Sequence, residues 1–506
     1  DEVRYQHWRP VAERLLYWQF LAFGRNAIGY RVINMALYGL GVIGALMLFR
    51  RIGLGEAAAR WGALGFAAAA CHAVPVVFVS SQADLISLVL VIVALVAAMR
   101  YSEERDFGAS AVATLAFAIS LGTKEATLAM VFAPLLLAYG RGTQRKQPPP
   151  YAAAPGSGKR AIVLSLIWTG VGLAWLAFYA RGGYGSNAAV MLEPMRDPMR
   201  YLAALPGRAL TLLVSLLIPI NPFLFYLRSS YGIGLYGFLA IGLLPLGWAA
   251  WETCRRHAKN RIARSMVLFV LIFLPLLVCT VPDDRILMLP SIGFYALLGM
   301  WAVPGGLPGN ASTAPLAGRH EAGRSRMSSL VPPFIVLQAV AAMLVTHAMG
   351  RIEIEGRESL LAPINQFGRP LQAGDCMFVV NDTTDANVLF AQLRLEAIAG
   401  RRDIYVAFLC NTSNPEVRRI DEHTLHLTAT DEPFFGGFLG DMARPTDRPY
   451  QEGETFRARE LTGRIVRVND GEVREIEIRF DKPINSDSYR FYSSPEWGRP
   501  ARIQIP

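Results

Sequence analysis

The sequence predicts a polytopic α-helical membrane protein followed by a soluble C-terminal domain, α/β or mainly β. Three observations carry this. Of 506 residues, 53% are hydrophobic and 18% charged, and the mean hydropathy is +0.30, on the apolar side of ordinary globular usage. Runs such as "AIVLSLIWTGVGLAWLAFYA" (161–180) and "SMVLFVLIFLPLLVCTV" (265–281) approach the ~20 residues that cross ~30 Å of hydrocarbon as a helix. Beyond residue 349 the chain turns polar, with alternating stretches such as "EVREIEIRF" (472–480) and the turn "NDG" (469–471).

Helices are expected at about 29–49, 58–79, 83–100, 109–122, 124–139, 161–180, 232–252, 265–281, 286–303 and 331–349, about ten visible spans. The chain opens with Asp1 and its first full span starts near residue 29. Residues 1–28 are therefore expected to belong to the first outer loop, with one further helix upstream.

Orientation follows from "FRRIG" (49–53), "RGTQRKQPPPYAAAPGSGKR" (141–160), "CRRHAKNRIAR" (254–264) and "AGRHEAGRSR" (317–326), which the positive-inside rule places in the cytoplasm. The net charge of +10 is thereby assigned to loops beside a bilayer, and nucleic acid is not expected as a partner. Between the basic segments at 141–160 and 254–264 an even number of crossings is required, yet three apolar runs lie there. Pro219, Pro222 and Asn221 interrupt "RALTLLVSLLIPINPFLFYLR" (208–228), so this run is expected to be re-entrant or interfacial within an outer loop at 181–231.

The membrane domain thus covers 1–349, and a periplasmic domain covers 350–506. In the latter, "CMFVVND", "ANVLFAQLRLEAIAG" and "DIYVAFLC" read as strand, helix and strand, with strands thereafter. The five cysteines, at 71, 254, 279, 376 and 410, show no zinc spacing. Cys376 and Cys410 fall on those two strands, either as a disulfide or as two buried thiols. "DEPFFGGF" (431–438) is read as a loop whose phenylalanines pack onto the sheet or rest on the membrane.

Ionisable residues at membrane level are costly unless paired or facing water. Four clusters fall on the predicted outer side: Asp1 and Glu2 with Arg9; Gln82 and Asp84; Lys124 and Glu125; and Asp283, Asp284 and Arg285. Each alone could be a plain interfacial turn, but together they point to a shared polar cavity. Such a cavity suits sugar transfer from a lipid phosphate, with a carboxylate as general base and cations, or a metal on carboxylates, holding the departing phosphate.

The order of these motifs resembles the transmembrane O-mannosyltransferase-like proteins of the GT-C glycosyltransferase superfamily, over roughly residues 8–300. Arg9 and Pro10 match that family's Arg-Pro, and "GYRVIN" matches its Gly-Tyr-His-x-x-Asn with Arg31 in place of His and Asn34 kept. His72 and Asp84 match its next element, with Gln82 where Arg is usual, while "TKEA" and "DDRILMLPS" resemble its Lys-Glu and Glu-Arg-Tyr-x-Tyr-Leu-Pro-Ser segments. His72 itself is read as a core histidine rather than a base.

The resemblance implies an inverting glycosyltransferase of the bacterial inner membrane. Its donor would be a polyprenyl-phosphate sugar in the lipid bilayer, its acceptor an unidentified protein, lipid or glycan. It further implies a catalytic acid at Asp1 or Glu2, or upstream of them; phosphate contacts from Arg285, Lys124 and Arg9; and pocket shaping by Asp283, Asp284, Asp84 and Glu125. Those carboxylates are also the candidates for a divalent cation, Mg or Mn, which the resemblance does not demand. Trp8 and His7 are the candidates for stacking on a sugar. A transporter or flippase of lipid-linked saccharides, and a non-catalytic scaffold displaying the periplasmic domain, are the alternatives; no matched pair of broken helices favours the former.

Overall fold

The computed structural model describes residues 8–24, 26–141, 156–182, 184, 192, 194, 197–225, 232–303, 326–381, 403–410, 415–430, 433–435, 449–493 and 501–505. They form two compact units, one running to His347 and the other starting at Ala348.

The first unit is helical: α1 (Pro10–Phe23), α2 (Ala27–Arg51), α3 (Glu56–Ala68), α4 (Ala73–Val77), α5 (Gln82–Glu104), α6 (Phe107–Leu121), α7 (Ala133–Arg141), α8 (Ser157–Arg181), α9 (Pro198–Ser215), α10 (Gly232–His257), α11 (Arg261–Leu277) and α12 (Ser291–Ala302), with α13 (Arg326–Asn365) beginning in it. Local chemistry sets the ends. Asn26, Asp106 and Asn260 accept backbone N–H groups of the first turns of α2, α6 and α11, and Arg50 and Arg51 close α2 where its carbonyls are left free.

Among the described residues, five helices are long and apolar enough to cross a membrane: Ala27–Arg51, Val79–Glu104, Ser157–Arg181, Gly234–His257 and Ser328–Arg351. α6 and α12 are apolar but shorter. The span expected at 265–281 falls on α11, a continuous helix that stops at Leu277; the other expected spans are interrupted. The run at 58–79 becomes α3, a 3-10 turn (Ala70–His72) and α4; that at 124–139 starts as a 3-10 helix (Glu125–Phe132) before α7; and that at 286–303 starts as a 3-10 turn (Asp284–Met288). The helix expected to end at 349 runs on to Asn365.

Side chains from other helices satisfy the backbone groups freed at the break after α3. Gln338 accepts the Ala70 N–H at 3.0 Å and donates to the Leu217 carbonyl at 3.3 Å. The Asn34 amide donates to the Val76 and Phe78 carbonyls at 3.2 and 3.3 Å. Non-helical backbone is tolerated at membrane depth on this condition.

α5 is the centre of the bundle: 72% of its most apolar window is buried, against 28% for α2 and for α8. The outer helices expose Leu40, Ile43, Leu166, Leu244, Met343 and Leu344, the side expected to meet hydrocarbon. α3 and α12 pack at backbone contact, because a Cβ on Gly62 would lie 2.7 Å from the Tyr295 carbonyl, one on Gly65 would lie 2.7 Å from Leu298, and one on Gly299 would collide with the Ala58 carbonyl.

The second unit carries two sheets beyond α13. Strand β1 (Cys376–Val379) lies parallel to both β2 (Tyr405–Phe408) and β8 (Tyr489–Ser493), and β9 (Ala501–Ile503) is antiparallel to β8. The other sheet is antiparallel, in the order β3 (Pro415–Arg419), β4 (Thr424–Ala429), β7 (Glu472–Phe480), β6 (Leu461–Asn469), β5 (Thr455–Ala458). Asp470 and Gly471, at φ 52° and 80°, make the β6–β7 hairpin turn of the primed kind. Alternation puts Ile476, Ile478 and Phe480 inside, and a register shift between β6 and β7 nearer the hairpin accompanies Val473 turning inside as well. The helix expected at 386–400 lies outside the described residues.

Of the two readings of Cys376 and Cys410, the structure has two buried thiols not joined by a disulfide. Cys376 pairs with Tyr405 in register, so Cys410 sits about five residues further along the ladder, ~16 Å away, beyond disulfide reach. In "DEPFFGGF", Phe434 is buried and bridges to Val473, and Phe435 stacks on Tyr450, which packs the described part onto the sheet.

Candidate functional site

The predicted outer-side charges converge at one end of the helical unit. α1 enters beside the end of α6, with the Val11 N–H on the Gly122 carbonyl at 3.3 Å. This puts Arg9, at the N-terminus of α1, against Glu125, held by its Nε at 3.2 Å and Nη2 at 2.9 Å. Lys124, one residue earlier, turns inward to an ion pair with Asp84 in the first turn of α5. Both side chains are nearly buried, at 11% and 9% exposure.

The third group comes from the loop between α11 and α12. Asp283 caps the 3-10 turn by accepting the Arg285 N–H at 3.0 Å, takes the Arg285 side-chain Nε at 2.7 Å, and accepts the Asn221 amide at 3.3 Å. Arg285 remains half exposed, at 47%. Arg208 of α9 holds the loop's approach by donating to the Val278 and Thr280 carbonyls at 3.0 and 2.9 Å, at the negative end of α11.

Electrostatics joins these groups. Lys124 is buried among the charges of Arg9, Arg285, Glu125 and Asp283, and Asp84, in direct contact, is its counter-charge. Asp284 is buried, and burial together with the neighbouring Asp283 carboxylate raises it well above the usual carboxylate value. Its Oδ1 has no hydrogen-bond partner among the described residues. Three cations thus face three carboxylates in pairs, with Asp284 favouring its neutral form beside them.

Gln82 lies deeper. Its amide donates to Asn34 at 2.7 Å and accepts from Gln19 of α1, also at 2.7 Å, and all three side chains are buried. α1 is therefore fastened at both ends beside the Asp84–Lys124 pair, by Arg9 on Glu125 and by Gln19 on Gln82. His72 is a core residue, with Nε2 at 2.9 Å from the Ser291 hydroxyl and Nδ1 at 3.0 Å from Tyr38 Oη. Trp8 stands edge-on against Phe178 of α8 at 4.7 Å, an intramolecular contact that occupies one edge of its ring. Asp1, Glu2 and His7 lie outside the described residues.

The structure therefore brings together Arg9, Asp84, Lys124, Glu125, Asp283, Asp284 and Arg285. It adds Asn221, Gln19 and Arg208, which the sequence reading did not place in the site. Among the described residues no three His, Cys, Asp or Glu side chains are grouped to hold a metal ion. Asp84, Glu125 and Asp283 are each engaged by a cation.

Fold and site define a class: a mainly helical protein with helices apolar enough for a bilayer, a strand-rich C-terminal unit, and a buried cluster of paired charges at one end of its bundle. Comparison with protein-family models, with curated proteins and with solved structures finds no match to this chain.

Proposed function

We propose that the chain is a membrane glycosyltransferase of GT-C type, moving a sugar from a polyprenyl-phosphate donor to a protein, lipid or glycan acceptor at the outer, periplasmic face. The observation that carries this reading is the convergence of Arg9, Lys124 and Arg285 with their acids from three separate parts of the chain. A cluster of this kind at the end of apolar helices suits a ligand with an anionic phosphate and an apolar tail.

In the proposed reaction the bond between the anomeric carbon and the donor phosphate oxygen breaks, and one from that carbon to an acceptor hydroxyl oxygen forms. The hydroxyl proton passes to a carboxylate, for which Asp1 and Glu2 are the candidates. The bonding pair leaves with the lipid phosphate, whose charge falls to the exposed guanidinium of Arg285. Asp283 stays satisfied when Arg285 turns to the phosphate, because Asn221 and the Arg285 backbone N–H still hold it. α1 exposes Tyr17, Trp18, Phe20 and Leu21, a face suited to lying in the headgroup layer beside the donor.

A transfer assay with polyprenyl-phosphate sugars tests this. Arg285→Ala is expected to lower kcat/KM roughly ten- to hundred-fold, the worth of a charged hydrogen bond, and Asp1→Asn to reduce turnover. Full activity in both variants removes the site, and saccharide movement across vesicles without transfer replaces the enzyme with a transporter.

A further inference from the structure

The turn between α10 and α11 stands at the end of α11 away from Asp283, and the proposed transfer makes no use of it. Arg255 and Arg256 close α10, Lys259 lies in the turn, and Arg261 and Arg264 open α11. All five are exposed. Arg255 and Arg256 share one carboxylate, that of the buried Glu252. Among the described residues no carboxylate pairs with Lys259, Arg261 or Arg264.

Two of these cations stand where the helix itself disfavours them. Arg261 and Arg264 fall in the first four residues of α11, a turn without an acidic residue, and so add positive charge to the positive end of its dipole. Asn260 already caps that turn, accepting the Ile262 and Ala263 N–H groups at 2.9 and 3.3 Å. Both guanidiniums lie over the ring of Tyr139 of α7, 5.7 and 5.9 Å from its centroid, which positions them while leaving them exposed. Their placement serves an anion from outside better than it serves the fold.

An apolar stripe leads up to this corner. Leu244, Trp248, Trp251 and Arg255 follow one another at helical spacing along α10, all exposed. Tryptophan one turn short of a basic helix end is the pattern of a side chain at headgroup level. A soluble acidic partner would satisfy the cations and leave the tryptophans uncovered, whereas an anionic headgroup on an acyl chain satisfies both.

We propose that the corner between α10 and α11 binds the headgroups of anionic phospholipids, with their phosphates at Arg255, Lys259, Arg261 and Arg264 and an acyl chain along Trp251, Trp248 and Leu244. The inference rests on the bundle lying in a bilayer and is independent of the transfer reaction.

The test uses the full chain in a neutral detergent, with its melting temperature followed on adding phosphatidylglycerol, phosphatidylcholine, inorganic phosphate or poly-glutamate. Phosphatidylglycerol is expected to raise the melting temperature above the value in phosphatidylcholine. That increment should fall by at least half when Arg261→Gln and Arg264→Gln are combined, and persist in Arg60→Gln, an exposed arginine paired with Glu56 within its own helix. Should the double variant fail to fold, fluorescence quenching by brominated lipids serves: brominated phosphatidylglycerol should quench more than brominated phosphatidylcholine, and the difference should shrink in Trp251→Phe. Equal stabilisation by the two lipids, an undiminished increment in the double variant, or an unchanged quenching difference in Trp251→Phe overturns the site. The same increment from inorganic phosphate or from poly-glutamate overturns its assignment to a lipid.

Discussion

Lys124 and Asp84 show how much a buried charge depends on its partner. Lys124→Ala leaves Asp84 buried without a counter-charge and is expected to cost about 3–5 kcal/mol, read as a large drop in thermostability in detergent. Replacing both together, by Lys124→Met with Asp84→Leu, should recover most of that loss. Asp284 makes a pH prediction. Because its folded value is raised, the folded chain holds a proton that the unfolded chain releases above about pH 4. Stability is therefore fully present below that value and declines as pH rises toward the folded one. Asp284→Asn cannot titrate, so its melting temperature should fall less between about pH 4 and pH 8 than that of the wild type. The charged residues of the cluster were legible in the sequence because each is expensive at membrane level. Asn221 was equally visible but read as a liability, since nothing local reveals that its amide meets Asp283, 62 positions away.

At the scale of elements, interruptions separate expectation from structure. Hydropathy alone reads 58–79 as one helix, but the run breaks around Ala69 because Gln338 of α13 and Asn34 of α2 take over the released backbone groups. Periodicity sees the apolar character and not the distant amides that permit the break. Gln338→Leu, which leaves the Ala70 N–H and the Leu217 carbonyl unmatched, is expected to destabilise by about 2–4 kcal/mol, measured as a lowered detergent melting temperature with increased hydrogen exchange at residues 69–72. The contact of α3 with α12 is as sensitive to size: Gly299→Ala places a methyl against the Ala58 carbonyl and should cost about 1–3 kcal/mol. The second unit was legible as strands from its alternation and its Asp-Gly turn. Its two-sheet division was not, because strand order depends on contacts between β1 and β8, more than a hundred residues apart.

For the whole molecule, the described chain divides into a helical unit and a unit that carries the sheets. The helical unit has Asp84 paired with Lys124 at one end of α5 and Glu103 paired with Arg141 at the other, about 28 Å apart at 1.5 Å per residue. A one-residue turn of this helix, about 100°, would tear both ion pairs apart at once, in surroundings that offer little water to replace them. α5 is thereby pinned against rotation and sliding, and behaves as the stator of the bundle. In the proposed transfer, any motion that admits the lipid-phosphate donor must then be made by the peripheral pieces: α1, the loop bearing Asp283 and Arg285, and the outward-facing helices. Cross-linking α1 to α5 through cysteines at 19 and 82 should therefore slow turnover, whereas a link between α5 and α6 deep in the bundle should leave it intact.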